Sequence, residues 1–139
     1  NPLSQIPSRD DLEAGRQFVK RIEQIEGEVY IPFHPYLAEM AGKKTYAHFE
    51  GVLYVVLGDN GPYRQRVLSQ IEEAISTKRF GAIILNGETY MFYGDLGQHY
   101  LMQKEDALFD RDDTFWPRTG GRFRPGRLFL PKVRGSSGG

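Results

Sequence analysis

The chain has 139 residues, room for one domain of ordinary size, and its 18 Lys plus Arg balance 18 Asp plus Glu to a formal net charge of zero. That balance argues against nucleic acid as a partner, and the absence of cysteine excludes disulfide scaffolds, thiolate metal sites and thiol nucleophiles. Hydrophobic residues make up 40% and aromatic residues 13%, enough to build a packed core. No apolar run is long enough to span a bilayer, and no secretory signal pattern is present. The chain begins at Asn1 without Met, and 135–139 read as a flexible tail or an expression remnant. The expectation is therefore a piece of a longer protein.

Pro7-Ser8-Arg9-Asp10-Asp11 reads as a helix start, with Ser8 as cap and two carboxylates in the positive first turn. Leu12, Phe18, Val19, Ile22 and Ile25 recur at helical spacing and Gly27 closes the segment, so the first helix is expected over 9–26. Val29-Tyr30-Ile31 is a short strand stopped by Pro32. Pro35 to Met40 suits one or two helical turns, with Gly42 as terminator. The apolar run 52–57 fits a buried strand or a buried helix equally well. Gly58-Asp59-Asn60-Gly61-Pro62 breaks the chain, and Val67, Leu68, Ile71, Ala74 and Ile75 then form the apolar face of a helix reaching Arg79.

Residues 80–85 are apolar on both faces, as a central strand covered by helices requires. Residues 88–93 suit a strand or a loop, and 98–108 a helix. Residues 109–126 read as a long ordered loop carrying Trp116. Arg127-Leu128-Phe129-Leu130 is a last strand, with Pro131 favouring a sheet edge or a strand end. The alternation of helix and strand predicts a single α/β domain over 1–134, a small three-layer, Rossmann-like unit with a mostly parallel sheet.

Chemistry-bearing motifs are sparse. His34 and His48, with Glu39 and Glu50 nearby, lack the fixed spacing of a metal site and suit hydrogen bonding in a polar crevice better. No GxGxxG, GxxxxGK[ST] or GxSxG is present, so neither a nucleotide cofactor nor a serine hydrolase is indicated. Between residue 111 and the end, seven basic residues face two acidic ones, interleaved with Phe115, Trp116 and Phe123. That segment suits contact with phosphate or anionic headgroups, or a solvated loop anchored by its aromatics.

Four segments in order carry a resemblance: Val29-Tyr30-Ile31-Pro32-Phe33-His34-Pro35-Tyr36-Leu37, Met40-Ala41-Gly42-Lys43-Lys44-Thr45-Tyr46-Ala47-His48, Arg79-Phe80-Gly81-Ala82-Ile83-Ile84-Leu85, and Asp113-Thr114-Phe115-Trp116-Pro117-Arg118-Thr119-Gly120-Gly121-Arg122-Phe123-Arg124-Pro125. Together, over about 9–133, they resemble the C-terminal soluble region of bacterial polytopic membrane glycosyltransferases of the GT-C type, the group of protein mannosyltransferases and lipid A aminoarabinose transferases. The resemblance implies an inner-membrane parent enzyme using a polyprenyl-phosphate sugar donor, with this domain on the periplasmic side. It implies no catalytic residue here, because the reactive carboxylates of that group belong to its membrane portion.

The implied role is an accessory domain that caps the membrane site or helps hold donor or acceptor. The implied partners are the transmembrane portion of the same polypeptide and a lipid-linked sugar or anionic headgroups. The candidate binding residues are His34, Tyr36, Tyr46, His48, Arg118, Arg122 and Arg124. The alternative is a freestanding Rossmann-like or flavodoxin-like binding domain or enzyme, with a small-molecule ligand at the carboxyl ends of its strands. A protein-interaction module using the aromatic-rich surface is a third reading.

Overall fold

The computed structural model describes residues 8–32, 34–44, 61–86, 96–104, 107–110 and 124–133. Helix α1 (Arg9–Glu23) starts with a capping box: Ser8 Oγ accepts the Asp11 N–H at 3.1 Å, and the Ser8 N–H donates to Asp11 Oδ2 at 3.2 Å. Asp10 and Asp11 occupy the first turn and Lys20 and Arg21 the last, matching the helix dipole at both ends. Phe18 and Ile22 are buried, whereas Leu12, expected on the same face, is exposed. At roughly 100° per residue Leu12 stands about 120° around the helix from Phe18, too far to share its stripe. The helix stops at Glu23, short of the expected Glu26, and Gly27 turns the chain at a φ of 84°.

Strand β1 (Val29–Tyr30) leads into α2 (Pro35–Met40), which closes through Gly42 at a φ of 72°. The Gly42 N–H donates to Glu39 O at 2.9 Å and the Lys43 N–H to Ala38 O at 2.9 Å, the paired bonds of a Schellman end. The Lys43 ammonium then reaches back to Ile25 O at 2.5 Å and Gly27 O at 3.2 Å. One short motif thus ends α2 and ties it to the α1–β1 turn.

Helix α3 (Pro62–Ser76) begins with Pro62 in its first turn after an extended Gly61. It is followed by β2 (Ala82–Leu85), buried along its whole length. Gly81 at the entrance to β2 is required by close approach, since a Cβ there would lie 2.0 Å from Glu26 O. The Gly81 N–H donates to Glu28 O at 2.6 Å, and Arg79 Nε lies 3.5 Å from the Glu28 carboxylate, so the entrances to β1 and β2 are held side by side.

The segment expected to be helical over 98–108 is a correction. One helical turn, α4 (Leu96–His99), gives way to strand β3 (Tyr100–Met102), which pairs with β4 (Arg127–Pro131). Ladder bonds to a partner distant in sequence override the local helical pattern. Strand β4 is not an edge: the sheet order is β1-β2-β4-β3. Pro131 is accommodated because it is the last residue of β4, paired with Tyr100.

The sheet is mixed. β1 and β2 are parallel, while β2–β4 and β3–β4 are antiparallel. Three of the four described strands therefore point the same way, but antiparallel β4 is inserted between β2 and β3, which leaves one parallel pair where a mostly parallel sheet was expected. The chain is α/β in this coarse sense.

The alternation of β2 divides the core. Ile83 and Leu85 pack with Tyr30 and Phe129 against Val67, Ile71, Ala74 and Ile75 of α3. Ala82 and Ile84 face Phe18 and Ile22 of α1 and Leu37 and Ala38 of α2. Two aromatic stacks mark the two sides, Tyr30 on Phe80 at 4.9 Å and Phe18 on Phe109 at 5.2 Å between ring centroids.

Candidate functional site

The strand directions bring particular residues to one edge of the sheet. His34 follows β1 and Asn86 follows β2, so both stand at the carboxyl ends of the parallel pair. Antiparallel β4 begins at that edge, with Arg127 in register with Leu85 and Arg124 three residues upstream. In open α/β sheets this is the edge at which ligands are held, because helix starts and loops converge there.

His34 occupies the N-cap position of α2, yet its side chain makes no capping bond. Its ring reaches across the edge, and Nε2–H donates to Asn86 Oδ1 at 2.9 Å. Asn86 is 6% exposed and is the one buried polar or charged residue among the described residues. An apolar strand ending in a buried carboxamide needs partners for it, and the imidazole is one of them. Burial lowers the His34 pKa from its ordinary 6.5, an effect partly offset by the Asn86 bond, so the neutral ring predominates at pH 7. With Nε2 protonated, Nδ1 carries the lone pair.

Tyr36, on the first turn of α2, stands edge-on to the imidazole, 6.2 Å between centroids at 78°, and is 54% exposed. Arg124 holds its guanidinium carbon 4.6 Å from the centre of the Phe109 ring, a cation–π contact that fixes the chain just before β4. Phe109 stacks in turn on Phe18, and neighbouring Asp110 accepts from Arg21 Nη2 at 2.6 Å.

Of the candidate residues, the fold brings His34 and Tyr36 together, and Arg124 stands beside the start of β4. Tyr46, His48, Arg118 and Arg122 lie outside the described residues, as do the 52–57 run, the 88–93 segment and Trp116. Among the described residues no group of three His, Asp or Glu converges as a metal-holding set. Asn86 escaped the sequence reading; its signal was a lone amide directly after the fully apolar stretch Ala82-Ile83-Ile84-Leu85.

No protein family, curated protein or solved structure matches the chain. No helix among the described residues is long and apolar enough to cross a membrane.

Proposed function

We propose that the chain is a non-catalytic accessory domain of a polytopic membrane glycosyltransferase, placed outside the cytoplasm and using the carboxyl edge of its sheet to hold part of a lipid-linked sugar or an anionic headgroup. The observation that carries this reading is the convergence of its motif residues. Segments 29–32, 34–37, 40–44 and 79–85 meet along the β1–β2 pair: Lys43 binds the α1–β1 turn and Gly81 abuts Glu26 at its amino ends, and His34 meets Asn86 at its carboxyl ends. A resemblance spread over separate short motifs is supported when those motifs build one local structure. The finer fold reading, a Rossmann-like three-layer unit, is supported by apolar clusters on both sides of the sheet.

The basic residues after 110 give the proposal its electrostatic part. Arg118 and Arg122 would meet lipid phosphate, each charge at an anionic surface contributing about 1 kcal/mol and fading within a Debye length. Vesicle flotation with the full chain tests this. Binding to anionic vesicles at low salt, lost at high salt and weakened by Arg118→Ala with Arg122→Ala, is the expected result. No flotation at low salt would remove the membrane-facing part.

A second reading is favoured by the position of the His34–Asn86 pair, which a freestanding small-molecule domain would also use. Thermal shift with nucleotides, flavins and sugar nucleotides separates the two, since saturable stabilisation by one of them selects the freestanding domain.

A further inference from the structure

The geometry points to a hydroxyl-reading subsite for a neutral sugar ring, built from the His34 imidazole, the Asn86 carboxamide and the Tyr36 ring at the carboxyl ends of β1 and β2. It deepens the proposed function and rests on its reading of this edge as ligand-holding. The class of ligand follows from the chemistry of His34. Because Nε2–H is given to Asn86 Oδ1, the neutral ring presents a lone pair at Nδ1. A lone pair accepts a hydrogen bond from a sugar hydroxyl and repels the oxygens of a phosphodiester, which carry no proton to donate. An anion site would need the doubly protonated ring, which burial at this position opposes.

The rest of the cluster agrees. An N-cap residue is ordinarily one that caps, and His34 leaves that role unused while its ring is committed to Asn86 at 2.9 Å. The half-exposed Tyr36 ring, edge-on to the imidazole, offers an apolar face of the kind on which the C–H side of a pyranose rests. A polar pair beside an aromatic face matches the two-sided character of a sugar, with hydroxyls around its rim and carbon-bound hydrogens on its faces.

The test uses the full chain and ¹⁵N-detected imidazole spectra, in which protonated and lone-pair nitrogens resonate far apart. Methyl glucoside and methyl mannoside, titrated to about 100 mM to capture millimolar affinity, are compared with dimethyl phosphate, a phosphodiester with no P–OH to donate. The expected result is a saturable shift of His34 Nδ1 with at least one neutral glycoside, insensitive to salt, and none with dimethyl phosphate. His34→Ala should weaken glycoside binding at least tenfold, and His34→Gln, which keeps an acceptor, should restore part of it. Saturation by dimethyl phosphate alone, or no shift of His34 with either glycoside, would overturn the inference. Because the wild-type comparison is sufficient, a variant that fails to fold does not blunt the test. A negative glycoside result with intact vesicle flotation would strike this subsite alone, whereas lost flotation would strike the membrane reading.

Discussion

Tyr100 and Phe80 are joined by a reciprocal pair of hydrogen bonds: the phenol oxygen accepts the Phe80 N–H at 3.2 Å and the hydroxyl donates to Phe80 O at 2.9 Å. The backbone of Phe80, just before β2, thus borrows its partners from a side chain at the start of β3. Burial pushes the Tyr100 phenol up to about 12, against the opposing effect of its bond to Phe80. A folded value above the unfolded 10.0 means the unfolded chain loses its proton first. The stability contributed is therefore complete below pH 10 and is lost as pH rises from 10 towards 12. Tyr100→Phe should cost roughly 1–3 kcal/mol at neutral pH, since it removes the hydroxyl partner of two buried backbone groups, and should flatten the alkaline decline in urea unfolding.

Two glycines make a contrasting pair. Gly81→Ala places a Cβ 2.0 Å from Glu26 O, a backbone atom that cannot step aside without opening the β1–β2 corner. The expected loss is about 3 kcal/mol or more, read as a lower denaturant midpoint. Gly97→Ala in α4 meets nothing within 4 Å and should be neutral or stabilising by up to about 1 kcal/mol. Equal effects at the two sites would contradict the described corner.

Lys43 supplies the third prediction. Its ammonium satisfies carbonyls of the α1–β1 turn, so Lys43→Met should destabilise by about 1 kcal/mol, with little dependence on salt because the partners are carbonyl oxygens. A loss that disappears in high salt would instead indicate a diffuse surface charge effect.

His34 sets an acid-side dependence. Its folded affinity for protons is depressed below the ordinary 6.5, so the unfolded chain takes up a proton first as pH falls. Stability from this group is complete above pH 6.5 and is lost as pH drops through the lowered folded value. His34→Gln should remove this part of the acid slope while keeping a hydrogen-bonding partner for Asn86. An unchanged slope in His34→Gln would place the titration elsewhere.

The legible parts of the molecule were those written in nearby residues. Val67, Ile71, Ala74 and Ile75 show α3 by their period, Ala82 to Leu85 show β2 by unbroken apolarity, and Gly42 shows the end of α2. Strand β3 was hidden because two of its three residues are exposed, leaving Tyr100 as the buried mark. Its identity comes from pairing with residues around 130, information that no local window holds. The central position of β4 was hidden for the same reason. At the candidate site, His34 stood out as a polar residue within an apolar motif, but its partner lies 52 residues away and becomes visible when parallel β1 and β2 align their ends.

Fractionation of the cells that make this domain is the decisive test of the proposal that it belongs to a bilayer-embedded sugar transferase. An antibody raised against the 139-residue chain should detect a species well above that size, retained in carbonate-washed membranes and digested by protease added to the periplasmic side. A species of the size of this chain, recovered entirely in the soluble cytoplasmic fraction, would contradict the account.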